Sequence, residues 1–459
     1  MPRPLSLKAF LRDVPKGHDG SGALVLRRTA SVMTSMVALI ATSLVTGPAL
    51  ADPVAEPCEL TRSPAHHSEG LDTWNAAYTR PTHPVEAVMI FLSFPDAKPK
   101  TTPAELTGDY FPETNRFFKR ASYGRFTVHP HPLRRWIAMP RASTWYAVRR
   151  DWNPERRSAY LRDAIAAADK KVDFSRYDIV YFVADPDAPG VDSDATKVVN
   201  LETPLRADGT DIRRVVTIFE KHPPDRLVLA HETGHVFDLP DLYHRPADGK
   251  GDWDTYVGDW DLMGSQFGLA PDLFAWHKWK LGWLDPRQVV CVRGRVTRLS
   301  LEALGAGPTG VPQVPVSAGR PWNSGSKTAG GGGVAGAAGG VGTEAFGSGS
   351  GTKLAVVRTG PDTVLAIEAR GAVGNDTETC SQGVLLYHVT SLAASGDGPV
   401  QVVDAHPHTS ACWATSVYPP LADAPLDVGE SFTVPGDGVR VEVEDQTPGG
   451  AYTVKITKS

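Results

Sequence analysis

The sequence predicts an α/β (α+β) domain with a twisted mixed sheet, followed by a β-rich C-terminal domain. Two features of the chain carry this reading. Up to about Asp285, short apolar runs alternate with stretches whose apolar residues recur every three or four positions. Beyond Pro286 the texture changes to short β-branched runs separated by Gly, Pro and Asp. A chain of 459 residues is too long for one ordinary domain, so two folded domains plus processing and linker segments are expected.

The first fifty residues read as an export signal. Arg27 and Arg28 form a basic region, an apolar stretch follows from Ser31 to Val45, and Ala49-Leu50-Ala51 supplies small residues for cleavage. Residues 1–51 are therefore assigned to a signal peptide, and the mature chain begins near Asp52. The basic pair stands unusually far from Met1, which fits either a later translation start or a twin-arginine route. The apolar stretch is short and rich in Ser and Thr, and nothing downstream approaches ~20 consecutive apolar residues. A secreted, extracellular protein without stable membrane association is expected. All four cysteines follow the cleavage point, an even count that implies two disulfides in an oxidising compartment. Proximity and domain logic favour Cys380 with Cys412, and Cys58 with Cys291. None of them forms a CxxC pair. A net charge of -5 offers no basic field of the kind nucleic acid requires.

In the first domain, residues 52–285, the runs 85–94 (VEAVMIFLSF) and 177–184 (YDIVYFVA) have the length and composition of buried strands. Residues 113–121 and 155–171 carry apolar positions at helical spacing with charges opposite. In the second, residues 286–459, strands are expected over 354–358, 363–367, 383–389, 439–443 and 452–456. Inside it, residues 305–351 are so rich in Gly, Ala and Ser that they cannot bury enough apolar surface to offset their ordering entropy. This segment is expected to be a disordered insertion.

Asp225 is placed as the N-cap of a helix over residues 226–237 that contains His231-Glu232-Thr233-Gly234-His235. Two histidines one turn apart on a single face aim both imidazoles at a point roughly 2 Å from each ring nitrogen, as a tetrahedral zinc site needs. Glu232 is turned away from that point and suits a general base acting on a water better than a ligand. The bare HExxH pattern also arises by chance, so a third ligand matters. No Glu occurs between Glu232 and Glu302, which closes the geometry that recruits a Glu from a later helix. The alternative geometry returns a ligand ten residues after the first His, and that residue is Asp241. Pro240 stops the helix and biases Leu239 toward extended backbone, turning the chain where the return is required. Two His and one carboxylate leave a coordination position open, as in a catalytic zinc site. His244 and Asp238 compete for the ligand role. In the plainer readings Asp241 is an ordinary turn residue, Tyr243 core packing, and His244 a loop residue. Trp253, Trp260, Trp276, Trp279 and Trp283 then serve as apolar bulk.

The stretches HETGHVFDLPDLY (231–243), GDWDLMG (258–264) and PDLFAWHKWKLGWLD (271–285) resemble the immune inhibitor A family of bacterial metallopeptidases, within the metzincin clan. FFKRASYGRF (117–126), 367–370 and GVLLYHV (383–389) extend the likeness over roughly residues 85–408, the Gly-rich insertion excepted. The resemblance implies a zincin-like catalytic domain with an active-site helix, His231, His235 and Asp241 as ligands of one catalytic Zn2+, and Glu232 as general base. It also implies Met263 as the floor of a Met-turn and Tyr243 or Tyr256 as an oxyanion donor. Such proteins usually carry Gly where Asp238 stands; Asp tolerates a left-handed backbone better than most residues. The implied activity is hydrolysis of extracellular proteins or peptides, with a catalytically inactive zincin-like adhesin or binding module as the alternative. Exported peptidases of this kind often hold Ca2+, and Asp185, Asp187, Asp192 and Asp194 form an acidic loop that could wrap one, although their spacing matches no EF-hand and a solvated loop is the simpler reading.

Overall fold

The computed structural model describes residues 58–246, 250–307 and 351–459. The expected signal peptide (1–51) and nearly all of the Gly-rich insertion lie outside the described residues. In chain order the elements are β1 (Val85–Ser93), α1 (Pro103–Tyr110), α2 (Glu113–Ala121), β2 (Val128–Pro132), β3 (Ile137–Ala138), α3 (Ser143–Tyr146), α4 (Pro154–Ala168), β4 (Ile179–Ala184), β5 (Lys197–Ala207), β6 (Thr210–Ile218), α5 (Val228–Val236) and α6 (Ala275–Lys280). Strands β7 (Val289–Cys291), β8 (Val296–Leu301), β9 (Leu354–Arg358), β10 (Thr363–Arg370), β11 (Gly383–Thr390), β12 (Val400–Val402), β13 (Ser431–Val434), β14 (Val439–Gln446) and β15 (Tyr452–Lys458) follow.

The first sheet runs β2-β1-β4-β6-β5, with β3 also paired to β1. All of its pairings are parallel except β5 with β6. Apolar layers cover both faces, which is why β1 and β4 read as continuous apolar runs. Val88, Ile90 and Leu92 pack with Val180 and Phe182 on one face, against Tyr160, Leu161 and Ile165 of α4. Ala87, Met89 and Phe91 turn to the other face with Tyr181 and Val183, where α5 lies.

Sequence patterning did not find the β5–β6 hairpin, although its turn carries a signal. Asp208 and Gly209 both have positive φ, 49° and 74°, the backbone of the two-residue turn that Asp-Gly favours. The imperfect alternation along β5 hides the strand, and its register slips between Asn200 and Leu205. The remaining strands confirm the β-rich reading of the C-terminal half. They form a five-stranded sheet, β12-β11-β10-β9-β7, and a four-stranded antiparallel sheet, β13-β14-β15-β8. One face of β9–β11, with Val356, Ala366 and Tyr387, joins the same apolar layer as α5. The other face packs Val357, Ile367 and Leu386 against Val441 and Ile456 of the four-stranded sheet. Apolar packing is thus continuous across Asp285.

A buried cation reinforces that junction. Arg370, at the end of β10, is fully buried. Its guanidinium donates to Glu368 and to the carbonyls of Trp260, Ala270 and Asp272 at 2.8–3.2 Å, with Asp376 3.0 Å away. The C-terminal sheet thereby grips the 259–274 loop by its backbone.

Both expected disulfides are present, Cys58–Cys291 and Cys380–Cys412, across sequence separations of 233 and 32. Closing the longer loop removes more unfolded-chain entropy, about 5 kcal/mol against about 4. Replacing Cys58 and Cys291 by Ser should therefore lower stability in chemical denaturation more than replacing Cys380 and Cys412, by about 1–2 kcal/mol. Equal losses would show that loop entropy does not set their contributions.

Candidate metal centre

All nine residues of α5, VLAHETGHV, are buried. The helix is shorter at both ends than the expected 226–237, and Asp225 is not its N-cap. Leu227 occupies that place without a side-chain cap, while the Asp225 carboxylate accepts from Gln266 Nε2 at 2.9 Å. Two extra residues separate Asp225 from the first helical turn, so its side chain cannot reach the free amides there.

The imidazoles of His231 and His235 stand at 87° with centroids 5.0 Å apart. In each ring Nδ1 faces a backbone carbonyl, Leu262 O at 2.8 Å for His231 and Leu239 O at 2.7 Å for His235. A carbonyl can only accept, so Nδ1 carries the proton and Nε2 keeps its lone pair. Both Nε2 atoms converge on Asp241 Oδ1, at 3.4 and 3.0 Å. Three acceptor atoms this close repel one another unless a proton or a metal cation lies among them. This donor set, two imidazoles and one carboxylate, fits zinc. Among the described residues it is the one group of three His, Cys, Asp or Glu whose ligand atoms fall within 4.8 Å. With a proton in that role, His235 is raised to about 9: burial lowers it, and the Asp241 carboxylate more than reverses this.

Asp241 is held from the C-terminal half. Ser395 Oγ accepts from the Asp241 amide at 2.8 Å and donates to its Oδ2 at 3.1 Å, and the Gly396 amide donates to the Asp241 carbonyl at 2.9 Å. The rival ligands point elsewhere. His244 packs its ring on Tyr256 at 5.2 Å. Asp238 is fully buried and pairs with Arg62, one contact being 3.2 Å. Asp238 does take the left-handed backbone anticipated for it, with φ 67°.

Glu232 is 7% exposed and receives a hydrogen bond from the Val198 amide of β5. Among the described residues its Oε2 has no partner, and burial raises its carboxyl above the usual value despite the two nearby imidazoles. Of the two tyrosines, the structure brings only Tyr243 to the cleft, hydrogen-bonded to Asp241. Tyr256 packs against His244 and beside Gly398 instead. Met263 lies fully buried beneath α5. A Cβ built on Gly234 would stand 2.6 Å from Met263 Sδ, so Gly at this helical position lets the helix settle on its floor. The four aspartates of the acidic loop do not converge: Asp185 and Asp192 accept amides of their own loop, at 3.0 and 3.2 Å, and Asp187 faces Lys100 at 3.3 Å.

Sequence reasoning missed the segment that follows Cys58. His67 lines the cleft beside the ligands, its ring centroid 5.3 Å from that of His235 and its Nε2 3.0 Å from Asn200 Nδ2. Burial first, and then His235 and Lys280, lower it to about 2, so the ring is neutral. Glu69 lies 2.9 Å from His277 Nε2, whose Nδ1 is 3.0 Å from Asp261 Oδ2. Asp261 also accepts from the amides of Met263 and Phe274, each at 2.7 Å. Nothing but the pairing of His66 with His67 marked this segment, since polar residues without periodicity carry no positional signal. Arg150, Lys197, Asn200 and Ser395 also line the cleft and were equally invisible.

No protein-family model matches the chain, and no characterised protein matches it in sequence. The chemistry open to the site rests on its own geometry.

His277 is raised from 6.5 to about 10: burial lowers it, and Glu69 and Asp261 more than compensate. The folded state therefore holds a proton that the unfolded state releases first, and this stabilisation is complete below about pH 6.5 and lost as pH rises through about 10. Unfolding midpoints should fall across that window, and His277→Gln should remove this part of the slope while costing about 3–5 kcal/mol at pH 7. A wild-type profile flat across it would contradict a charged His277.

Asp238→Gly keeps the backbone conformation but leaves Arg62 and Lys280 without their carboxylate. It should destabilise the fold by about 3 kcal/mol or more while metal stoichiometry by mass spectrometry stays unchanged. Metal loss in the soluble variant would make Asp238 part of the ligand set.

Proposed function

We propose that this chain is a secreted zinc-dependent endopeptidase of the immune inhibitor A type. The observation that carries the reading is the convergence of His231 Nε2, His235 Nε2 and Asp241 Oδ1 in an open cleft beside Glu232, whose Oε2 has no partner among the described residues. A zinc ion held by these three residues supplies Lewis acidity that makes water nucleophilic at neutral pH and polarises a carbonyl.

The chain's own groups account for the rest. Glu232, buried and raised in pKa, accepts the proton of the attacking water and returns it to the leaving amine. Tyr243, which lines the cleft and hydrogen-bonds Asp241, turns its hydroxyl from that carboxylate to donate to the oxyanion of the substrate carbonyl. Strand β5 is the edge of its sheet and contributes Lys197, Val198 and Asn200 to the cleft. An extended peptide can pair with that edge through main-chain hydrogen bonds, which suits cleavage within a polypeptide. Two disulfides support an exported protein, and no helix among the described residues is long and apolar enough to cross a membrane.

Glu232→Gln should retain zinc, because the three ligands are untouched, and lose about 10²- to 10⁴-fold in kcat/KM on a peptide substrate. Asp241→Ala should lose both zinc and activity, whereas His244→Ala should keep zinc. Casein cleavage should stop with a chelator and return with added zinc. Stoichiometric zinc without any cleavage by the wild-type chain would select the binding-module alternative.

A further inference from the structure

The cleft extends past the metal centre into a second hollow of ≈ 470 Å³, which shares His231, Glu232 and Tyr243 with it but not His235 or Asp241. It therefore opens on the Glu232 side of the site. One wall is the segment after the Met-turn, Gly264 to Phe267. Another comes from Glu220 and Asp225, which lie between β6 and α5.

Two features of this lining call for a ligand. Glu220, Asp225, Asp254 and Asp194 face the hollow together with Glu232, whereas Arg150, exposed and stacked 4.4 Å over Trp253, is the basic side chain besides His231 among its described lining residues. The donors that reach these carboxylates are neutral: Gln266 for Asp225, Ser265 for Asp254 and Thr196 for Glu220. Within that group, Glu232 presents to the hollow a carboxylate only 7% exposed, whose Oε2 has no partner among the described residues. The crowding has an electrostatic consequence. Burial above all, then Asp225, Glu232 and Asp194, push Glu220 up to about 7 against one hydrogen bond from Thr196. Burial, with Asp259 and Asp252, pushes Asp254 up to about 6. A bound cation relieves that repulsion. Val228, Trp253 and Phe267, the last 60% exposed, line the same hollow and offer apolar and aromatic surface to an aliphatic stem.

We propose that this hollow is a specificity subsite that takes the cationic side chain of an arginine or lysine flanking the cleaved bond of a protein substrate. The proposal rests on the endopeptidase reading and names the substrate class of that site. A long apolar stem on the Val228, Trp253 and Phe267 surface, with its charged head among Glu220, Asp254 and Asp225, satisfies both halves of the lining. A neutral side chain of equal size leaves the carboxylates uncompensated.

Binding and cleavage are measured separately on the zinc-loaded full chain. Calorimetry compares L-argininamide with L-citrullinamide, its neutral isostere, which an endopeptidase does not consume. Cleavage assays then compare two peptides that differ only by arginine or citrulline next to the cut. Argininamide should bind at least about 10-fold more tightly, and kcat/KM should favour the arginine peptide by a similar factor. In Glu220→Gln combined with Asp254→Asn, both ratios should fall toward one with zinc content retained. Equal affinity of the wild type for the two amides overturns the proposal, and needs no variant that folds. A preference for argininamide with no peptide cleaved leaves the subsite standing and removes the peptidase reading. Cleavage of both peptides at equal rates does the reverse.

Discussion

His277 lies between Glu69 and Asp261 with all three side chains out of solvent, and the candidate metal centre is built on this contact. Asp261 spends its remaining hydrogen-bonding capacity on the amides of Met263 and Phe274, which fixes the loop whose Leu262 carbonyl orients His231. Glu69 belongs to the segment after Cys58, so the same imidazole draws that segment under the site. Two carboxylates this deeply buried would be costly without a partner, and the His277 imidazole supplies one to each. Loss of that one cation would leave the loop around Met263, the floor of α5 and the segment after Cys58 without a common anchor.

The site also depends on residues far along the chain. Ser395 and Gly396 hold Asp241 from outside, and Arg370 holds the carbonyls of Trp260, Ala270 and Asp272 from β10. A β-rich half appended to a self-sufficient N-terminal half would make no such contacts. Here it closes the apolar layer under α5 and supplies the Ser395 hydroxyl that donates to Asp241 Oδ2. Ligand geometry and C-terminal packing are therefore one structural problem.

Asp238 shows how a residue at a tight reversal also serves tertiary packing. The chain reverses there through a left-handed residue, which glycine adopts without strain and aspartate tolerates. Its carboxylate pairs with Arg62 and approaches Lys280 and His67. The strain of the turn is offset by docking the segment that carries Glu69 and His67 into the site.

Local chemistry in the sequence determined the strands β1 and β4, the alternation around them, the histidine pair, and the ten-residue return to Asp241 behind Pro240. Each of these follows from rules of period, helix termination or ligand spacing that operate within a few residues. The disulfide pairs were inferred from proximity, and the strands of the C-terminal half from β-branched runs between turns. Tertiary structure alone decided that Asp225 does not cap α5, that Tyr243 and not Tyr256 faces the cleft, and that the acidic loop does not converge. It also brought Glu69, His67, Arg370 and Ser395 to the site. These residues act across separations of up to 208 positions, as between Glu69 and His277, where composition and period say nothing. A buried polar group is placed by the partner that satisfies it, and that partner is known only once the chain has packed.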